Sequence, residues 1–187
     1  VPPNHRPSFK PHLGLFITED ELSALRRDHA AYVAEHGESP LEPLREWAMN
    51  VTPEETIRQF AGAPGRFGRD RAIGHSGLAQ RMAQAAIAAL ILEDAELLRH
   101  TARYAMAVAM IENWGDSFYE TLPGSTHDHR AFNHSKITEG LAILLDVAGE
   151  LFTNHARDYL QRRIATDGVN WITYNAWKYE YIHHINQ

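Results

Sequence analysis

The chain has 187 residues, 44% hydrophobic and 22% charged, a balance that argues against disorder and allows one domain with a sizeable core. Its formal net charge of −6 and pI of about 6.0 exclude a global basic field for holding nucleic acid, so an anionic ligand must meet a local cluster of Arg, His and amide groups. Cysteine is absent, which removes disulfides, zinc–thiolate sites and thiol nucleophiles together.

Residues 1–17 form a lead-in with four prolines in its first eleven positions, which precludes a helix and predicts an extended run along a surface. The pattern then changes. Thr18 with Glu21 makes a capping box, and Leu22, Leu25, His29, Tyr32 and Val33 recur at helical spacing up to Gly37. A second capping box at Thr52 and Glu55, with Pro53 in the first helical position, predicts a short helix to about Ala61. The following stretch GAPGRFGRDRAIGHSG holds five glycines and reads as a long loop; its Gly74-His75-Ser76-Gly77 lacks the strand-turn-helix setting of a serine elbow.

Between about Ser76 and Glu93, Leu78, Met82, Ala85, Ala86, Ala89 and Leu90 form one apolar stripe, and Asp94 caps a following helix expected to reach about Asn113. The longest apolar stretch, 83–92, is interrupted by Gln84 and is too short to span a bilayer, so no membrane partner is expected. Ile137, Leu141, Leu144, Leu145 and Ala148 repeat the pattern from His134 to Phe152, and Thr153 caps a helix ending near Gly168. Two helical hairpins about sixty residues apart suggest stacked helix pairs. Val169 to Tyr174 reads either as a strand or as a loop into a last helix.

The order RPSFKPHLGLFITEDELSAL, AAIAALILEDAELLRHTARYAMAVAMIENW, RAFNHSKITEGLAILLDVAGELFT and finally YEYIHHINQ resembles the N-terminal part of heparinase II/III-like polysaccharide lyases, over nearly the whole chain. The resemblance implies an all-α fold: an incomplete (α/α) toroid of antiparallel hairpins spanning 1–187, truncated before the rest of the toroid and a β-sandwich region. It also implies a groove for a uronic-acid polysaccharide or oligosaccharide and β-elimination as the reaction. The acid/base tyrosine and a further histidine are expected beyond Gln187. Periplasmic or secreted placement is the matching expectation, and a start at Val1 is compatible with removal of an export signal.

A lyase needs a group that neutralises the substrate carboxylate, a base for the C5 proton and an acid for the C4 oxygen. By position in the resemblance Asn186 takes the first role, with Gln187 beside it. His184 is the favoured imidazole of the pair His183 and His184, because helix neighbours point about 100° apart and only one can face the site. The loop GSTHDHRAFNHS gathers His129, Arg130, Asn133 and His134 just before a helix N-terminus, a setting suited to a substrate carboxylate or sulfate; a solvated loop capped by Asn133 is the plainer alternative. His127, Asp128 and His129 lack a distant fourth ligand, so no metal or cofactor is expected. Trp114 and Trp177, near helix ends, are candidates for stacking on sugar rings, although aromatics there more often pack inside.

Two other readings stay open. A toroid glycoside hydrolase would use two carboxylic acids, for which Asp116, Glu120, Asp128, Glu139 and Asp146 are available. A non-catalytic carbohydrate-binding or scaffold fragment would self-associate through exposed toroid edges.

Overall fold

The computed structural model describes residues 5–54, 56, 57, 77–112, 114, 132–170, 172 and 173, with backbone alone at 132 and 133. Among these residues the fold is all-α, with no strand. The elements are α1 (Glu19–His36), α2 (Glu42–Asn50), α3 (Leu78–Leu92), α4 (Ala95–Ala109), α5 (Phe132–Val147), a 3₁₀ turn (Gly149–Leu151), α6 (Asn154–Arg163) and a π-helix (Ile164–Val169). The 58–76 loop, Glu55, most of GSTHDHRAFNHS, and the terminal YEYIHHINQ lie outside the described residues, as do Trp171 and Trp177.

Helix α1 starts as its sequence dictates. The Thr18 hydroxyl accepts the Glu21 N–H at 3.2 Å and the Glu21 carboxylate accepts the Thr18 N–H at 2.9 Å. Ile17 and Leu22 flank the cap as a hydrophobic staple, both buried. Gly37 closes the helix in the left-handed region, at φ 80°, where its N–H reaches Val33 O. The expected apolar stripe is only partly inside: Leu22 is buried, whereas Leu25 and Tyr32 are each 41% exposed. The helix lies at the periphery, so one turn of apolar contact on α3 suffices.

Helix α2 was not marked by the sequence pattern. Pro43 fits its first turn, where a missing N–H costs nothing, and Ala48 is buried while Leu44, Trp47 and Met49 pack on the core. After it, Pro53, Glu54, Thr56 and Ile57 are helical and the Thr56 N–H bonds Thr52 O at 3.0 Å, as expected of the second start signal.

Helices α3 and α4 form the anticipated hairpin across Glu93 and Asp94. The Asp94 carboxylate accepts the N–H groups of Glu96 and Leu97, each at 3.0 Å, and pairs with Arg45 at 2.7 Å, tying α2 to the turn. Helix α4 ends at Ala109, earlier than Asn113. Helix α3 is the hub: it packs on α1, α2, α4 and most extensively on α5. Its buried Ala79, Met82, Ala83, Ala85, Ala86, Ala88, Ala89 and Leu90 occupy more of its circumference than a single stripe. Small residues permit this approach. At Gly140 on α5 an added Cβ would sit 2.6 Å from the Ala79 carbonyl carbon and 2.8 Å from its Cβ.

Helix α5 stops at Val147, short of Phe152, and the chain turns through Gly149–Leu151 to Thr153, whose hydroxyl caps α6 by accepting the Ala156 N–H at 3.2 Å. The helical path continues as a π-helix, with the Asn170 N–H bonded to Ala165 O, and Asn170, Ile172 and Thr173 are helical too. The strand option for this stretch is therefore set aside at those positions. Because the π-helix contacts His134 and Thr138 near the start of α5, the second hairpin is antiparallel as well. No helix among the described residues is long and apolar enough to cross a membrane.

Candidate functional site

The polar groups with the most specific geometry meet where α4 ends, α5 begins and α6 passes into the π-helix. His134, in the first turns of α5, is 5% exposed, and its Nδ1 lies 2.6 Å from the Asp167 carbonyl oxygen; a carbonyl only accepts, so Nδ1 carries the proton. Burial pushes this imidazole down to about 4, with Arg163 adding to the effect, against the opposing pull of the Asp167 carbonyl and charge. The ring is neutral at physiological pH.

Arg163 holds the other three walls together. Its guanidinium donates to the carbonyls of Ile111 and Glu112, pairs with the Asp167 carboxylate at 3.2 Å and lies 4.9 Å over the Trp114 ring. Trp114 is 1% exposed, donates its indole N–H to Val108 O at 3.2 Å, and tilts toward His134 at 6.4 Å between ring centroids. The accepting Asp167 carbonyl lies in the π-helix, and a Cβ at the adjacent Gly168 would fall 2.2 Å from the Thr138 hydroxyl oxygen.

The structure thus brings together Trp114 and His134 from the sequence-derived set, with both side chains directed inward. Trp114 is 1% and His134 5% exposed, so in this structure the indole and the imidazole both face the interior, with the imidazole donating to the Asp167 carbonyl. Asn133 lies in the first turn of α5, its side chain outside the described residues. His129, Arg130, Trp177, His184, Asn186 and Gln187 lie outside them altogether. Arg163 and Asp167 escaped the sequence reading. They stand on the second hairpin about thirty residues from His134, and no local spacing marks a partner that a helix return supplies.

Of the acids weighed for hydrolysis, the described ones are structurally engaged. Asp146 is fully buried and accepts the N–H groups of Leu13, Gly14, Leu15 and Phe16 at 2.7–2.9 Å, and Glu139 accepts the side-chain amide of Gln80. No cluster of three or more His, Asp or Glu suited to a metal ion occurs among the described residues. The arrangement at the hairpin junction is chemically a positioning device: it fixes the start of α5, directly after the His129 and Arg130 segment in sequence, by a neutral imidazole, a guanidinium and an indole packed as one unit. No protein-family model matches the chain, and no curated protein or solved structure matches it either.

Proposed function

We propose that the chain forms part of the helical toroid of a polysaccharide lyase that cleaves a uronic-acid-containing polymer by β-elimination, in the periplasm or outside the cell. The observation that carries this reading is the packing of consecutive hairpins through their first helices, α3 on α5 at Gly140 and Ala79, with α4 touching both α5 and α6. An inner layer of first helices backed by second helices is the repeating unit from which such a toroid would be built.

In this reading the Asn186 amide donates to the substrate carboxylate, so that negative charge developing at C5 is stabilised as the proton leaves. His184 assists proton transfer, the C4–O bond breaks, and a C4=C5 double bond forms with the proton returned to the leaving oxygen. The acid/base tyrosine is assigned to sequence beyond Gln187. His129, Arg130 and Asn133 hold a carboxylate or sulfate at the entry to α5, and Trp177 and Gln187 contact the sugar. Trp114 and His134 contribute in this reading by holding the end of α4 and the start of α5, through the Val108 and Asp167 carbonyls. Unpaired toroid edges would favour self-association.

The test is ultraviolet absorbance of the unsaturated uronate while a panel of uronic-acid polymers is incubated with the chain and with a polypeptide continuing past Gln187. Absorbance rising with the longer protein, and lost in its Asn186→Ala variant, is the expected result. Reducing ends appearing without absorbance would replace the lyase by a hydrolase, and inactivity of both proteins with retained polymer binding would leave a binding module.

A further inference from the structure

The lead-in is attached to the helical body in an unusual way. Leu13, Leu15 and Phe16 are 53%, 75% and 49% exposed, so apolar anchoring of residues 5–17 is confined to the buried Pro7 and Ile17 and to Phe9, half-buried against the core. Body side chains hold its backbone instead. Both Glu150 oxygens accept the Ser8 N–H, at 2.8 and 3.0 Å, and Asp146 accepts four consecutive N–H groups from Leu13 to Phe16. Arg26 bridges the carbonyls of Phe9 and Leu90, Arg99 reaches the His5 carbonyl, and Arg157 lies 3.2 Å from the His12 ring. The backbone-to-backbone bond between the lead-in and the α5–α6 turn is His12 N–H to Asp146 O, at 2.7 Å. The His12 ring fills the space over Gly149, where a Cβ would stand 2.5 Å from it.

We propose that residues 5–16 form a strap that opens and closes as one unit over the turn between α5 and α6, with Asp146 and Glu150 as its latch. The pivot is Ile17–Thr18, because the staple to Leu22 and the capping box with Glu21 belong to α1 and stay in place when the rest lifts. Opening releases the Pro7 and Phe9 contacts, leaves the helical core packed and returns the strap's amides to water, the profile of a local rather than a global unfolding unit. It also bares Asp146, Glu150 and the Gly149 turn, a charged surface hidden while the strap is closed. The proposal is independent of the lyase reading.

The absence of cysteine makes the test direct. Pro7→Cys places a thiol under the closed strap and Ala86→Cys places one in the core between helices, and each is labelled with a maleimide in the full chain. Glu150→Gln should speed labelling at position 7 on the order of 10-fold, and Asp146→Asn on the order of 100-fold, with position 86 unchanged. Hydrogen exchange of the cysteine-free chain supplies the second readout: the amides of Ser8 and Leu13 to Phe16 should share one opening rate, faster than that of α3, and Gly149→Ala should raise it by displacing His12. Equal acceleration at positions 7 and 86, or strap amides exchanging only with global unfolding, would overturn the proposal.

Discussion

Replacing His134 with glutamine should flatten the dependence of stability on pH below neutrality. The folded imidazole is held down to about 4 by burial, whereas an imidazole in the unfolded chain titrates near 6.5, so in that interval the unfolded state binds more protons than the folded one. Stability from the neutral ring is thus fully present above the unfolded value and drains away as pH falls toward the folded one. At about 1.36 kcal/mol per tenfold change, the full window is worth about 3 kcal/mol. Glutamine forfeits the bond to the Asp167 carbonyl and some packing, roughly 1–3 kcal/mol at every pH, but carries no proton-linked loss. Urea unfolding at closely spaced pH values should therefore show the two proteins differing most at neutral pH and converging or crossing near pH 4, other titrating groups cancelling between them. NMR titration of the ring protons gives the same quantity directly. Parallel stability curves, or a His134 resonance titrating near 6.5, would refute the buried neutral imidazole and with it the junction geometry.

Gly140→Ala should cost about 1–3 kcal/mol in thermal or urea unfolding, because its methyl group would meet the Ala79 backbone, which cannot swing aside like a flexible side chain. Asp94→Ala removes a helix cap and the partner of Arg45, and should lower stability by about 1–2 kcal/mol at neutral pH. Burial pushes that carboxyl up, but the N–H groups of Leu97 and Glu96 and the Arg45 guanidinium outweigh it and hold it below the ordinary range. The wild-type advantage should accordingly persist at neutral pH and fade in acid as pH falls through the folded value. Tyr104→Phe should leave stability unchanged or raise it by up to about 2 kcal/mol, since the fully buried hydroxyl has no hydrogen-bond partner among the described residues; a calorimetric loss would reveal a partner.

The elements legible in the sequence are those with a local cause. Thr18 with Glu21, Asp94 and Thr153 are start signals whose bonds reach only two or three residues along the chain, and each forms as its pattern predicts. Helix α2 lacked such a signal, since Leu41 makes no side-chain cap, and what holds it is packing on α3 and α4 together with the Arg45 pair to Asp94. The early end of α5 is likewise tertiary: Asp146 and Gly149 serve the lead-in more than one hundred residues earlier, and no helical periodicity records that obligation. For the site, the sequence drew attention to Trp114 and His134 as chemistry-bearing side chains at helix ends, but their direction depended on Arg163 and Asp167 arriving from the return helix of the second hairpin. Spacing cannot separate an inward indole from an outward one when the deciding contact is remote.

The central claim is elimination rather than hydrolysis, and the mass balance of a defined acidic oligosaccharide tests it most directly. A polypeptide that includes this chain and continues past Gln187 should yield products whose masses sum to that of the substrate, one fragment ending in an unsaturated uronate. Products heavier in sum by one water would contradict the claim and point to a hydrolase.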